Sequence, residues 1–547
     1  MLLLAVLIFA GAWEGFRFAK LHLALSRARK QFSNSQFMRA EFWAGRALSV
    51  DADNVEAIRL MAEINEVRSQ PAAIGWRIKL AQREPGNTGD IMAWAKCALR
   101  FSQGEMALRA LDSLPQDFKD RSAEYHELMA GCAMGCHQPA LAEMHFAKAE
   151  ELDPGNPIHR VDLASFRLAN SVDPKIRAAA AADLETALAD PRVCLFAARV
   201  LLGDAIRGGD HARAQRFADK LRSLPAHNFS DDLSCLEVVM HEPAFQPALE
   251  AIEKQAGSDA LLASDAGNWL NSHGMAAETL RWFAQMPGAI KSDVRVQMAA
   301  AESYLALRDW KGLESFLANC HWPNGEFLRR AMAVRSEREL GQPWQADWKK
   351  LVSDVNANPP DALLLAQVVT GWNWRDETLE LLWGAASQPQ TEPDALQFLW
   401  NIYSQMNDTR ELWRVATEQL NIDPANPIYK NNEAFLTLLL YGASERSERL
   451  AREASAANPQ VPEWTATYAY ALHLAGKEPQ AKEALKNLPP TALERPGVAL
   501  YYAIVLAANG EDANARQSLG KLNPNGMLPE EQQLALNLAK KLNASTR

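Results

Sequence analysis

The sequence predicts an all-α fold in which antiparallel helix pairs stack into a right-handed superhelical solenoid. Small residues recur at an interval of about 34 positions or twice that interval, in one column of Ala28, Ala62 and Ala130, which Lys96 interrupts, and in another of Ala47, Ala81 and Ala149. The same interval separates Gly476 from Gly510 near the C-terminus. A period of this length indicates helix–turn–helix units, and small residues at a fixed phase allow neighbouring helices to approach closely.

The first unit shows how each helix pair is defined. Its helix A is predicted over residues 21–33 and its helix B over 37–49, with the polar segment 33–35 between them. Serine and asparagine side chains compete for backbone hydrogen bonds, so this segment favours a turn. Ala40 and Ala44 then follow the spacing of one inward helix face.

The segments that close the units repeat as well. LDPGNPI at 152–158 and IDPANPI at 422–428 agree at five of seven positions, and proline blocks continuation of the preceding helix. Proline-closed units of this length resemble the tetratricopeptide repeat family, and the resemblance implies a binding scaffold with no chemistry of its own. An apolar N-terminus followed by such repeats is similar in layout to membrane-anchored repeat proteins of bacterial envelopes.

The repeat pattern divides the chain into four segments. Residues 1–20 are interpreted as a hydrophobic anchor whose shortness suggests a truncated start. Regular repeats are predicted over 21–192 and again over 391–547, where the last stretch has the pattern of a capping helix. Between them, residues 193–390 keep helical periodicity but lose regular turns, and this divergent segment is rich in tryptophan.

The N-terminal segment determines the expected location. Residues 2–13 contain no charge, and residues 14–30 carry five Lys or Arg. A single membrane anchor is the leading interpretation, although a helix needs about 20 apolar residues to cross a bilayer. A cleaved signal peptide and an ordinary first helix are the alternatives. Because the basic residues follow the segment, they favour a cytoplasmic repeat domain, and we expect a membrane-associated protein.

Charge and motifs exclude several function classes. The net charge is −10, and phosphate binding needs clustered Lys and Arg, so nucleic acid is not an expected partner. The sequence contains no P-loop, nucleophile-elbow or zinc-protease motif. We therefore expect no catalytic residue, no cofactor and no metal ligand, and we interpret the chain as non-enzymatic.

One cysteine arrangement has two interpretations. Cys132 and Cys136 lie four positions apart in a predicted helix and are followed by His137. Buried core thiols explain them most simply. A weak metal or redox site is the alternative, and its only support is the spacing.

Candidate partner-binding residues lie on the A helices, which should line a concave groove. Lys96 and Arg100 resemble the last pair of the clamp with which some tetratricopeptide repeats bind chaperone tails. Glu66 stands where that clamp has asparagine, and its charge would repel a carboxylate, so a solvated helix face is favoured over a clamp. Arg29, Lys96 and Arg100 remain the candidates at one end of the groove, and Trp372 is the candidate at its middle.

The tryptophans of the divergent segment also have two interpretations. Trp322, Trp344 and Trp372 lie beside turn residues. Aromatic residues are enriched where proteins dock, which suggests a docking patch. Large rings that fill uneven gaps between divergent repeats are the favoured explanation.

The predicted function is a non-catalytic scaffold that binds protein or peptide partners through its concave surface and is tethered to a membrane. One alternative is a non-catalytic subunit of an envelope polysaccharide or secretion assembly complex. Another is an enzyme with a cryptic site in residues 193–390. The sequence leaves the oligomeric state open.

Overall fold

The computed structural model describes residues 2–136, 138–459, 461–522 and 526–544, with side chains from residue 15 onward except that of Pro496. Within these ranges the chain contains 34 helices and no strand, which confirms the predicted all-α class. The chain divides into two compact units, unit 1 (Met1–Trp269) and unit 2 (Leu270–Arg547).

The helices of unit 1 are α1 (Leu2–Ser33), α2 (Phe37–Val50), α3 (Val55–Val67), α4 (Ala72–Arg83), α5 (Thr88–Arg100), α6 (Gly104–Asp112), α7 (Gln116–Lys119), α8 (Ala123–Gly135), α9 (Pro139–Leu152), α10 (Pro157–Asn170), α11 (Pro174–Ala187), α12 (Cys194–Arg207), α13 (His211–Arg222), α14 (Phe229–Val238) and α15 (Phe245–Ala256). The boundary between the units falls within α16 (Ala260–Ser272).

The helices of unit 2 are α17 (Ala276–Gln285), α18 (Gly288–Lys291), α19 (Val294–Leu307), α20 (Trp310–Leu317), α21 (Glu326–Glu339), α22 (Gln345–Asn356), α23 (Pro359–Thr370), α24 (Arg375–Ala386), α25 (Glu392–Met406), α26 (Thr409–Ile422), α27 (Pro427–Tyr441), α28 (Glu445–Ala457), α29 (Pro462–Leu474), α30 (Glu478–Leu485), α31 (Pro490–Leu493), α32 (Pro496–Ala508), α33 (Asp512–Leu519) and α34 (Pro529–Ala544).

Consecutive helices pack as pairs of one A helix and one B helix. In unit 1 the A helices are α1, α3, α5, α8, α10, α12 and α14, and each packs against the B helix that follows it. In unit 2 the A helices are α19, α21, α23, α25, α27, α29 and α32, again each with its own B helix. The pairs form a helical-repeat array within each unit, as the sequence predicts.

A residue with positive φ recurs in many turns from A helix to B helix, although the turn between α10 and α11 lacks it, since Ser171 has φ −73°. In the first three pairs the residue is Ser35, Ser69 and Ser102, respectively. A left-handed conformation costs a non-glycine residue about 1–2 kcal/mol, so its recurrence at these serines shows that the pair geometry imposes it.

Residues with positive φ also recur through the tryptophan-rich middle of the chain. These residues are Gly274, Arg308, Gly341, Asn373 and Asn407, at positions about 34 residues apart. The repeat period is therefore kept where residue identity changes. The division of the chain into regular and divergent segments stays a prediction.

The proline-containing closing segments begin the next A helix. α10 begins at Pro157 and α27 at Pro427. The side chain of the asparagine before each proline accepts a hydrogen bond from the N–H of the second helical residue, at 3.1 Å for Asn156 and 3.0 Å for Asn426. Asparagine is a favourable N-cap and proline is favourable at the first helical position, so the sequence pattern specifies these helix starts.

The alanine columns lie where helices pack. Ala28, Ala62 and Ala130 are all 0% exposed, as is Ala47, while Ala149 is 1% exposed. Each lacks a side chain beyond Cβ, which allows the facing helices to approach closely. The alanine positions predicted from the sequence therefore lie on the buried face of the helices.

The expected N-terminal membrane segment is wrong. Among the described residues no helix is both long enough and apolar enough to cross a membrane. The uncharged stretch ends before Glu14, and α1 continues without a break to Ser33, with Ala24 and Ala28 buried against the next helices. Side chains of residues 1–14 lie outside those described. The membrane association and the cytoplasmic location that were inferred from this anchor are therefore not supported.

Replacing Trp322 by alanine should destabilise unit 2. Trp322 is 0% exposed in the connection between α20 and α21, and the cavity left by a Trp→Ala change costs about 3–5 kcal/mol. Urea unfolding followed by circular dichroism measures the loss. Leu364→Ala is the control, because Leu364 is 44% exposed and should cost less than about 0.5 kcal/mol. Equal losses would contradict the packing role of Trp322.

Replacing Glu433 by glutamine should change how the stability of unit 2 depends on pH. Burial raises the pKa of Glu433, and Arg446, with Nη2 3.2 Å from Oε1, offsets this only in part. A pKa raised by folding means that the folded state binds more protons, so this group's contribution to stability is present below its ordinary pKa of 4.5 and is lost as pH rises through the folded pKa. The free energy of unfolding of E433Q should therefore rise relative to that of the wild type as pH rises from about 4.5 to neutrality.

Glu453→Gln is the control of opposite sign. A hydrogen bond from Lys430, at 2.8 Å, lowers the pKa of Glu453. The contribution of Glu453 is therefore lost as pH falls through its folded pKa and is present above its ordinary pKa of 4.5. E453Q should lose stability relative to the wild type as pH rises from below that folded pKa to about 4.5, as measured by urea unfolding of all three proteins. A parallel shift of E433Q and E453Q would contradict the assignment.

Candidate functional site

The predicted basic residues are all held by a neighbouring element of unit 1. Arg29 on α1 forms an ion pair with Glu56 on α3, and Lys96 on α5 forms one with Glu124 on α8. Arg100 donates from Nη2 to Ser69 Oγ at 3.2 Å. The first two contacts join one A helix to the next. Their role in partner binding stays a prediction.

Ion pairs also join successive A helices at two further steps. Arg59 on α3 donates to Asp90 on α5 at 2.8 Å. Arg199 on α12 donates to both carboxylate oxygens of Asp231 on α14, at 2.7 and 2.9 Å. Burial opposes ionisation of Asp231, but the hydrogen bonds from Arg199 lower its pKa.

The step from α8 to α10 differs from the step from α3 to α5. Glu127 is the fifth residue of α8, as Arg59 is of α3. His159 is the third residue of α10, as Asp90 is of α5. The upstream position thus carries an acid instead of a base, and the downstream position carries an imidazole instead of a carboxylate.

A third polar side chain completes this arrangement. Asp162 follows His159 by one helical turn on α10, so both lie on one face. The ligand atoms of Glu127, His159 and Asp162 all lie within 4.8 Å of one another. Burial, with the charge of Glu127, raises the pKa of Asp162 to about 6. We call these three residues the acid–His cluster.

The acid–His cluster borders an open cavity. The cavity has a volume of about 480 Å³ and is lined by Arg121, Ser122, Ala123, Glu124, Glu127, Leu152, Asp153, Asn156 and His159. It lies where α8, the end of α9 and the start of α10 meet. A small ion or a side chain from a partner can therefore reach His159 from solvent.

The sequence did not predict this cluster. His159 and Asp162 belong to the segment directly after the LDPGNPI turn, and Glu127 lies one repeat upstream. The available signal was the register itself, because alignment of the A helices places Glu127 where another helix has arginine. The cysteine alternative gains no support, since burial raises the pKa of Cys132 to about 11 and His137 lies outside the described residues.

The tryptophans of unit 2 mainly pack. Trp322 is fully buried and donates from Nε1 to Gln297 Oε1 at 2.9 Å. Trp344 and Trp372 are half-buried. Their rings lie 5.6 and 5.3 Å from that of buried Trp374, measured between centroids. These contacts match the packing interpretation favoured by the sequence.

Two arginines of α21 complete an Arg–Trp cluster, defined as Arg335, Arg338, Trp344, Trp372 and Trp374. Arg338 Cζ lies 4.3 Å from the Trp374 centroid and 4.6 Å from that of Trp344. Arg335 Cζ lies 4.8 Å from the Trp372 centroid, and burial lowers the pKa of Arg335. The guanidinium of Arg335 thus lies against the ring of Trp372, whose partner-binding role stays a prediction.

The A-helix surface at the end of unit 2 is covered by the chain itself. α34 packs against the A helices α27 and α32 as well as against α33. Leu538 and Leu542 are buried in this contact. Tyr501 on α32, which is 1% exposed, donates to Glu531 Oε1 at 2.7 Å. Glu530 accepts a hydrogen bond from Thr409, so the helix reaches back across several repeats.

Stacked helix pairs with a period of about 34 residues and proline-marked starts define a helical-repeat solenoid. The architecture is that of tetratricopeptide repeats, which confirms the resemblance predicted from the sequence.

Comparisons with known proteins add little to this assignment. The sequence matches no family model and no curated protein. Among solved structures the chain is similar to PilF of Pseudomonas aeruginosa, with 12% identity and a TM-score of 0.26 over 44% of this chain and 91% of that one. It is also similar to the APC/C hetero-tetramer Cut9–Hcn1, with 13% identity and a TM-score of 0.32 over 96% of each chain. Similarities this weak carry no inference about function.

Replacing Arg338 by lysine tests the Arg–Trp cluster. Arg338 Nη1 also donates to Glu377 Oε1 at 2.7 Å, and lysine cannot stack on two rings while holding that bond. We expect R338K to lower the free energy of unfolding of unit 2 by about 2 kcal/mol, measured by urea denaturation.

Arg330→Lys is the matched control on the same helix. Arg330 donates to Asp354 at 2.6 Å and is not among the arginines stacked on rings in the described residues. R330K should cost about 0.5 kcal/mol or less. If it costs as much as R338K, ring stacking is not the source of the effect.

Proposed function

We propose that this chain is a non-catalytic scaffold that binds a protein or peptide segment along the surface made by its A helices. The observation that carries the proposal is the docking of α34 on α27 and α32. The A-helix surface of unit 2 accepts a helix there through buried leucines and a buried hydrogen bond, and a partner helix would meet the same kinds of group.

The A helices of unit 1 offer polar contacts for such a segment. Arg29 and Lys96 have side chains 59% and 54% exposed, and each is paired with an acid on the next A helix. Exposed ion pairs contribute little to stability, about 0–1 kcal/mol each. An acidic partner residue could therefore replace Glu56 or Glu124 at small cost, so binding would sum many modest contacts over a preformed surface.

The cysteines support the non-catalytic part of the proposal. Burial raises the pKa of Cys97 to about 12 and that of Cys235 to about 11. A thiol acts as a nucleophile in its thiolate form, so these two are unsuited to covalent catalysis at neutral pH.

Site-specific photo-crosslinking tests the proposed binding surface. A photoreactive amino acid is placed at Lys96 or Arg100 on the A helix α5, and at Arg109 on the B helix α6 as the control, because the Arg109 side chain is 73% exposed. The full chain is expressed in its native cells. The proposal expects one shared set of crosslinked proteins at 96 and 100 that is absent at 109.

Charge reversal then measures the contribution of the A-helix surface to binding. K96E should reduce recovery of the crosslinked partner at least about tenfold, which corresponds to about 1.4 kcal/mol, whereas R109E should leave recovery unchanged. Equal crosslinking at 96 and 109, or equal effects of K96E and R109E, would reject the A-helix surface as the binding site.

A further inference from the structure

We propose that Glu127, His159 and Asp162 bind a divalent first-row transition-metal ion, a function separate from partner binding. Each residue supplies one ligand atom, and the three atoms lie within 4.8 Å of one another. His159 and Asp162 are one turn apart on α10, while Glu127 comes from α8. An ion at the centre would therefore join two successive helix pairs.

The histidine supplies an independent sign of a ligand. His159 is 5% exposed, and its Nδ1 has no hydrogen-bond partner. The nearest carboxylate oxygen, Glu127 Oε2, is 3.8 Å away, which is too far for a hydrogen bond. A buried nitrogen without a partner costs free energy, and an ion between these two atoms would satisfy both.

The charges at the step from α8 to α10 also favour a bound cation. At the equivalent step from α3 to α5, Arg59 neutralises Asp90. Glu127 takes the place of that arginine, and Asp162 adds a second carboxylate. Among the described residues, neither carboxylate forms an ion pair with Lys or Arg. A bound cation would supply the positive charge that arginine supplies elsewhere.

The other ring nitrogen of His159, Nε2, faces Asn156 and Asp153. Nε2 lies 3.3 Å from Asn156 Nδ2 and 3.9 Å from Asp153 Oδ2. Because Asn156 Nδ2 can only donate, Nε2 is the acceptor here. An ion on Nδ1 would place the ring proton on Nε2, and the Asn156 side chain would turn aside to admit it.

The donor set defines the class of ion. One imidazole and two carboxylates without a thiolate suit Zn²⁺, Co²⁺ or Mn²⁺ better than Cu⁺, which prefers sulfur. Three protein ligands leave at least one position for water or for a ligand atom from a partner. The neighbouring cavity of about 480 Å³ gives access to that position.

Metal titration of the untagged full-length chain, first stripped with a chelator, tests the proposal. Co²⁺ is added and its visible absorption recorded, and Zn²⁺ binding is measured by competition with a chromophoric chelator. We expect one site per chain with d–d bands of nitrogen and oxygen coordination, and a Zn²⁺-dependent rise in the melting temperature, because an ion that binds only the folded state stabilises it.

Variants locate the ion. H159Q, E127Q and D162N should each weaken Zn²⁺ binding by more than about 100-fold, because removal of only an outer partner of a ligand already costs about 10- to 100-fold. E124Q is the matched control, because Glu124 lines the same cavity and pairs with Lys96. It should bind as the wild type does. Circular dichroism of each metal-free variant establishes that it folds.

Three results would overturn the proposal. The first is the absence of a Zn²⁺ or Co²⁺ site in the folded wild-type chain. The second is unchanged affinity in folded H159Q and E127Q. The third is loss of binding in C136S with retention in H159Q, which would place the ion at the cysteine motif instead. None of these depends on whether the A-helix surface binds a partner.

Discussion

Close packing of each helix against its neighbours is the constraint on which the rest of this structure depends. Ala28 and Ala40 are fully buried in the first pair, and Ala62 and Ala130 take the same phase in later ones. A larger side chain there would separate the helices and leave a gap that a dense protein interior does not tolerate. Because each pair contacts mainly the pairs next to it, the spacing set by these alanines is passed along each unit.

That constraint explains which parts of the fold the sequence predicts. Alanine columns and the Pro157 and Pro427 starts are local and periodic, so pattern alone identifies the buried face and the helix boundaries. The left-handed turn position recurs at about the same interval where it is present, but Ser102, Arg308 and Gly341 occupy it in different pairs. The backbone conformation repeats there while the residue type does not, so a comparison of residue identities does not detect the repeat.

The candidate site shows what the sequence pattern does not predict. Glu127 and His159 come together only because α8 and α10 are adjacent A helices, and neither residue is unusual in its own segment. Packing is the favoured interpretation of Trp322 from its sequence, but only the contacts between repeats show that it is completely buried. The N-terminal stretch was judged by composition, whereas the structure shows α1 running on into Ala28 and the packed array. Contacts between repeats decide these cases, and a pattern within one repeat cannot supply them.

The docking of α34 has a consequence for the order in which the chain is made. Thr409 and Glu530 are 121 positions apart, so α26 and α27 are made well before the α34 residues that contact them. For that interval the surface that α34 covers has no occupant, and a nascent chain exposes it. Synthesis of α34 therefore completes the packing of unit 2, and a chain truncated before α34 exposes the apolar groups against which Leu538 and Leu542 pack.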